Sequence, residues 1–126
     1  MSSPMPSFSE KDFEVRPWGH YQVLHREAGL WVKRIEVKPG ARLSLQKHGC
    51  RSEKWVVVSG RGISTVDGAE AAVEAGSFVN VPCHAVHRMW NNGAEPLVFV
   101  EVALGDHLLE SDIERLQDDY KRESHD

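Results

Sequence analysis

The chain has 126 residues, of which 40% are hydrophobic and 27% charged, with a formal net charge of −4. That is the size of one ordinary globular domain and too short for two sizeable cores. Mild acidity and scattered Lys and Arg give no footprint for nucleic acid, and no stretch stays apolar long enough to span a bilayer.

Residues 1–10 hold two prolines and four serines, with neither a basic segment nor an apolar run. No secretory signal is expected there; residues 1–12 read as a flexible leader and 13–126 as the domain. The two cysteines, Cys50 and Cys83, form no disulfide framework, so a reduced, cytoplasmic setting is expected.

From residue 21 the pattern is β. Short runs rich in Val, Ile and Trp are expected as strands at 21–24, 30–37, 42–46, 54–59, 62–66, 70–73, 77–81, 86–90 and 97–103. Lys38-Pro39-Gly40, Ser59-Gly60, Ala75-Gly76, Pro82 and Asn91-Asn92-Gly93 punctuate them. Asp67-Gly68 between two runs predicts a tight hairpin. Many short strands with regular turns give an all-β sandwich or barrel. At the end, Ser111 and Glu114 stand as a capping box, and Ile113, Leu116 and Tyr120 share one helical face. The spacing predicts a helix over 111–122 that packs on the barrel.

Gln46 and His48, two apart on an expected strand, point to one face. Glu53 opens the next strand. His87 begins a strand far down the chain, and Asn91 follows four residues later. Two imidazole nitrogens and two oxygens suit a divalent zinc, manganese, iron, cobalt or nickel ion. Each residue alone reads equally as a surface or rim group, so spacing by itself leaves the site open.

Gly40, Gln46, His48, Glu53 and Gly60 resemble the first cupin motif, with Gln46 where many members carry His. Gly76, Pro82, His87 and Asn91 resemble the second, with His84 where that motif usually has Gly. The resemblance implies a double-stranded β-helix (a jelly-roll barrel) with metal ligands Gln46, His48, Glu53 and His87. Arg16-Pro17-Trp18-Gly19, Leu43-Ser44-Leu45-Gln46, Trp55-Val56-Val57-Val58-Ser59-Gly60, Glu101-Val102 and Glu110-Ser111-Asp112-Ile113-Glu114-Arg115 narrow it to type II mannose-6-phosphate isomerases. In that family the domain is often the C-terminal part of a bifunctional mannose-1-phosphate guanylyltransferase/isomerase, and the ion is typically zinc. The chain lacks the Gly-rich nucleotide loop, so no guanylyltransferase activity is expected. Gly49 and Cys50 replace two histidines of the family pattern, and Lys54 replaces another. These departures leave the ligands alone.

The resemblance implies interconversion of mannose 6-phosphate and fructose 6-phosphate through an enediolate. Lys33 shares strand parity with Ile35 and Val37, so it is expected inside the barrel as the base or a sugar or phosphate ligand. Arg16 and Arg51 are phosphate candidates, and His84 is a candidate proton carrier. Trp55, on the face of Glu53, is a candidate sugar contact. Arg88, next to a ligand, should face away. The expected partners are a small sugar phosphate and a second copy in a homodimer, with neither nucleic acid nor membrane. Two other readings stay open. One is a non-haem metal oxygenase built on two histidines and a carboxylate. The other is a non-catalytic module that binds a sugar or nucleotide sugar.

Overall fold

The computed structural model describes residues 12–49, 51–106, 108 and 113–120. Alternating apolar and polar residues cut by Gly, Pro and Asn make the strands. They are β1 (Phe13–Arg16), β2 (Gly19–Glu27), β3 (Leu30–Val37), β4 (Leu45–Lys47), β5 (Ser52–Ser59), β6 (Arg61–Val66), β7 (Ala69–Glu74), β8 (Phe78–Val81), β9 (His87–Trp90), β10 (Leu97–Leu104) and β11 (Glu114–Gln117). β2 to β10 lie on the expected runs, and β3 has the same bounds. Asp67 and Gly68 have φ of 49° and 83° and join β6 to β7, so the expected hairpin is there. No helix among the described residues is long and apolar enough to cross a membrane.

The strands form two antiparallel sheets. One runs β1-β2-β3-β10-β5-β8 and the other β11-β4-β9-β6-β7. Consecutive strands β4, β5 and β6 alternate between the sheets, which is how a jelly roll closes. Trp55, Val57, Val81, Met89, Leu97 and Phe99 fill the space between them. Burying a side chain such as Phe99 or Met89 contributes about 1.5–3 kcal/mol each.

Two motif residues turn out to be architectural. Gly60 has φ of 84°, and a Cβ there would run into the Pro96 carbonyl, so only glycine makes the turn after β5. Asn91 is fully buried; its Nδ2 donates to Val37 O at 2.9 Å and to Glu95 O at 2.8 Å. Its Oδ1 accepts from Gly93 N at 3.0 Å. A buried amide with every arm satisfied pins the end of β9 to β3.

The expected helix over 111–122 is corrected. Its described part, residues 113–120, contains β11, paired antiparallel with β4. Leu116, placed on the buried helical face, is 46% exposed. A helix this short is marginal alone, whereas the open edge of β4 offers a ladder of unsatisfied backbone groups. β1 is an addition, paired with β2 from Phe13 opposite Gln22. Residues 1–11 of the expected leader lie outside the described residues.

Candidate metal centre and its cavity

β4 and β9 pair with Gln46 directly opposite His87. His48 follows β4, and Glu53 stands on β5 of the other sheet. Three of the expected ligands converge: one donor atom each from His48, Glu53 and His87 lie within 4.8 Å of one another, and all three residues are buried. His48 Nε2 is 3.2 Å from Glu53 Oε2, and His87 Nε2 is 3.8 Å from Glu53 Oε1. Gln46 Nε2 donates to Ser44 O at 3.3 Å and Ser44 Oγ at 3.1 Å. With its nitrogen end tied back to the strand, the amide oxygen is the end left to act as a ligand.

Each donor is prepared by a neighbour. His87 Nδ1 donates to Ala85 O at 3.0 Å, which leaves Nε2 as the lone-pair nitrogen on the Glu53 side. Burial lowers the pKa of His87, partly against the pull of Glu53, so the ring is neutral as ligation requires. Burial acts to raise the Glu53 carboxyl. The close approach of His48, His87 and Arg51 outweighs it and holds the group well below its usual value. Trp55 Nε1 donates to Glu53 Oε1 at 2.9 Å.

The structure fits a cation here on its own evidence. Glu53 Oε2 is buried without a hydrogen bond of proper geometry. Arg51 bridges the same two donors, with Nη2 at 2.8 Å from His48 Nε2 and Nε at 3.1 Å from Glu53 Oε2. Arginine can only donate, so His48 Nε2 is an acceptor, the state a metal needs. A carboxylate and a lone pair already facing one positive group are a donor set for a divalent ion of borderline softness.

Beside the cluster lies a cavity of about 90 Å³ whose lining includes Arg16, Lys33, Gln46, Arg51, Glu101 and Arg115. Lys33 is inward as parity required, 5% exposed. Its ammonium sits 4.4 Å from the Tyr21 ring centre and 5.3 Å from that of Trp31. Glu101 on β10 stands opposite Lys33 on one side and Trp55 on the other. Burial first, then the charge of Glu53, push its carboxyl up to about 8. With Glu53 held low and Glu101 raised, the two carboxyls titrate as a pair.

The other expected site residues divide. Arg16 and Arg51 reach the cavity. Trp55 is 2% exposed, edge-on to His87 and packed on Phe99, and its Nε1 faces Glu53 rather than the cavity. His84 is exposed at φ of 68° and is absent from the cavity lining. A residue in that left-handed conformation explains why the motif favours glycine there. Arg88 faces away, its Nε donating to Leu43 O at 2.9 Å and its Nη1 to Gln117 Oε1 at 3.0 Å. Cys50 lies outside the described residues. Glu101 and Arg115 were missed. Inward parity with Phe99 and Ala103 would have found Glu101, as it found Lys33.

Residues 8–118 match the family described as Mannose-6-phosphate isomerase C-terminal. The chain belongs to this family. It is 46% identical over 107 residues to the alginate biosynthesis protein AlgA of Pseudomonas aeruginosa, covering 85% of this chain and 22% of that protein. It is 40% identical over 107 residues to the mannose-1-phosphate guanylyltransferase ManC of Salmonella typhimurium, again 85% and 22%. The chain thus spans about a fifth of the length of these relatives. Two solved structures share the fold. One is a double-stranded β-helix protein from Klebsiella pneumoniae (TM-score 0.67, 20% identity, 88% of this chain and 90% of that one). The other is the Cnp3 cupin domain of Schizosaccharomyces pombe (0.69, 15%, 79% and 74%). The fold is therefore that of a cupin double-stranded β-helix.

Proposed function

We propose that the chain is a metal-dependent sugar-phosphate isomerase that interconverts mannose 6-phosphate and fructose 6-phosphate. One observation carries the reading: Arg51, in contact with His48 and Glu53, and Gln46, paired opposite His87, both line a cationic cavity, so a metal and an anionic sugar would share one site. Membership of the isomerase family supports it.

His48, Glu53 and His87 would hold the ion, with Gln46 as fourth ligand, and zinc suits two nitrogens and two oxygens. When bound, such an ion supplies a positive charge that polarises a carbonyl and steadies the oxyanion of an enediolate. The chain's own residues do the rest. Lys33 lies inside the cavity as the base or as a ligand to the sugar, and Glu101, opposite it in register, is the carboxyl that can take up or return a proton. Arg16 and Arg51 hold the phosphate through their planar forks. Trp55 positions Glu53. His84, on its exposed turn, has no part in this scheme. Cys83 as an exposed free thiol suits a reducing cytoplasm.

The test is conversion of mannose 6-phosphate to fructose 6-phosphate by the full chain loaded with zinc or another divalent ion. Turnover is expected, abolished by chelation and lowered at least a hundredfold, together with metal content, in Gln46→Ala or His87→Ala. Fully metallated protein that turns over no hexose phosphate ends the reading.

A further inference from the structure

β11 makes one wall of the cavity, and none of the roles above uses it. Its residue Arg115, with Ile113 just before the strand, lines the cavity beside Arg16, Lys33 and Arg51. Four cationic side chains meet there with one carboxylate, Glu101. That is a surplus of positive charge in a recess, the field that draws and holds a multiply charged anion. Arg51 is engaged with His48 and Glu53. Arg16 is paired with Glu14 at 3.1 Å, but both side chains are a third or more exposed, so that pair is weak and is readily exchanged for a stronger anion.

Arg115 reaches the cavity from a segment held in three ways. β11 pairs with the three-residue β4, placing Arg115 opposite Gln46. Arg88 donates to the side chain and backbone of Gln117 at 3.0 and 3.1 Å. Arg42 forks onto Asp119 at 2.6 and 2.8 Å. The recess beside them has a volume of about 90 Å³.

We propose that β11 completes a phosphomonoester-binding site in which Arg115 and Arg16 take the dianion between them. The inference rests on the sugar-phosphate reading for its ligand, and it adds the residue and the strand that select phosphorylated over neutral sugars.

The experiment is calorimetric titration of the full chain with inorganic phosphate, mannose 6-phosphate and mannose, with amide exchange followed at residues 113–120. Both phosphates are expected to bind competitively and to slow exchange in that segment, and mannose is not. Arg115→Gln and Arg16→Gln are each expected to weaken phosphate binding about tenfold or more, and Arg115→Lys less. Arg61→Gln, on exposed β6 surface, is expected to change nothing. An Arg115→Gln protein with wild-type circular dichroism and wild-type phosphate affinity overturns the proposal, and so does phosphate binding that mannose 6-phosphate fails to displace. Should Arg115→Gln not fold, Arg16→Gln on the opposite wall decides by the same measure. Mannose 6-phosphate bound through Arg115 yet never isomerised leaves this site standing and removes the isomerase. An Arg115→Gln enzyme with unchanged KM does the reverse.

Discussion

Glu53 shows how much of a candidate metal site depends on what stands behind its donor atoms. Its two oxygens face His48 and His87, but Trp55 Nε1 at 2.9 Å holds Oε1 in place inside the core. Trp55→Phe keeps most of the ring packing and removes only the donor. Leaving a buried carboxylate oxygen short of a partner is expected to destabilise the protein by about 1–3 kcal/mol. Loss of an orienting partner is expected to weaken metal affinity about 10–100-fold. Denaturant unfolding and a competitive chelator titration measure the two; wild-type values in both would show that Trp55 is mere filling. At this scale the sequence was readable where spacing and parity apply. His48, Glu53 and His87, expected from the resemblance to the cupin motifs, are brought together, and Lys33 is inward as alternation along its strand requires. For Trp55, parity gives a face but not a depth: the side chain is on the expected face and sealed under His87 and Phe99.

At the scale of elements, β11 is where reading and structure part. Ser111, Glu114 and the spacing of Ile113, Leu116 and Tyr120 satisfy a local helical rule, and a long-range pairing overrides it. Nothing local encodes that the edge of β4 is open. Arg42 and Asp119, 77 residues apart, supply the anchor. The hydrogen bond from Arg42 is the largest influence on Asp119 and lowers its pKa from the ordinary 3.8; the charge of Arg88 adds to this, and that of Asp118 opposes it. A depressed folded-state pKa means the anchor is fully present above the unfolded value and is lost as pH falls through the folded one. Protection of residues 113–120 from amide exchange, corrected for intrinsic rates, should therefore fall on acidification below about pH 4. The pair is exposed, so the change should be no more than about fivefold. Arg42→Gln should flatten that dependence. Protection that stays constant from pH 7 to 3 would show that the ladder with β4 alone holds the strand.

For the whole molecule, the ligands matter because of where their strands sit. His87 belongs to the five-stranded sheet, His48 directly follows its strand β4, and Glu53 belongs to the six-stranded sheet. An ion gripped by all three is a staple across the sandwich, absent from the unfolded chain. Binding to the native state alone stabilises by RT ln(1 + [L]/Kd), about 2.7 kcal/mol at a hundredfold excess over Kd and about 4.1 at a thousandfold. For a chain of this length each kcal/mol moves Tm by roughly 3–6 °C. Chelation is therefore expected to lower Tm by about 10 °C or more, and restoring zinc to bring it back in proportion to the logarithm of the free ion. Glu53→Gln should abolish the response while leaving a folded protein, because the neutral amide still accepts from Trp55 but no longer charges the site. If chelation leaves Tm unmoved, or if Glu53→Gln still responds to zinc, the ion does not bridge the two sheets and the ligand assignment fails. Arg51 then remains a positive group that His48 and Glu53 share.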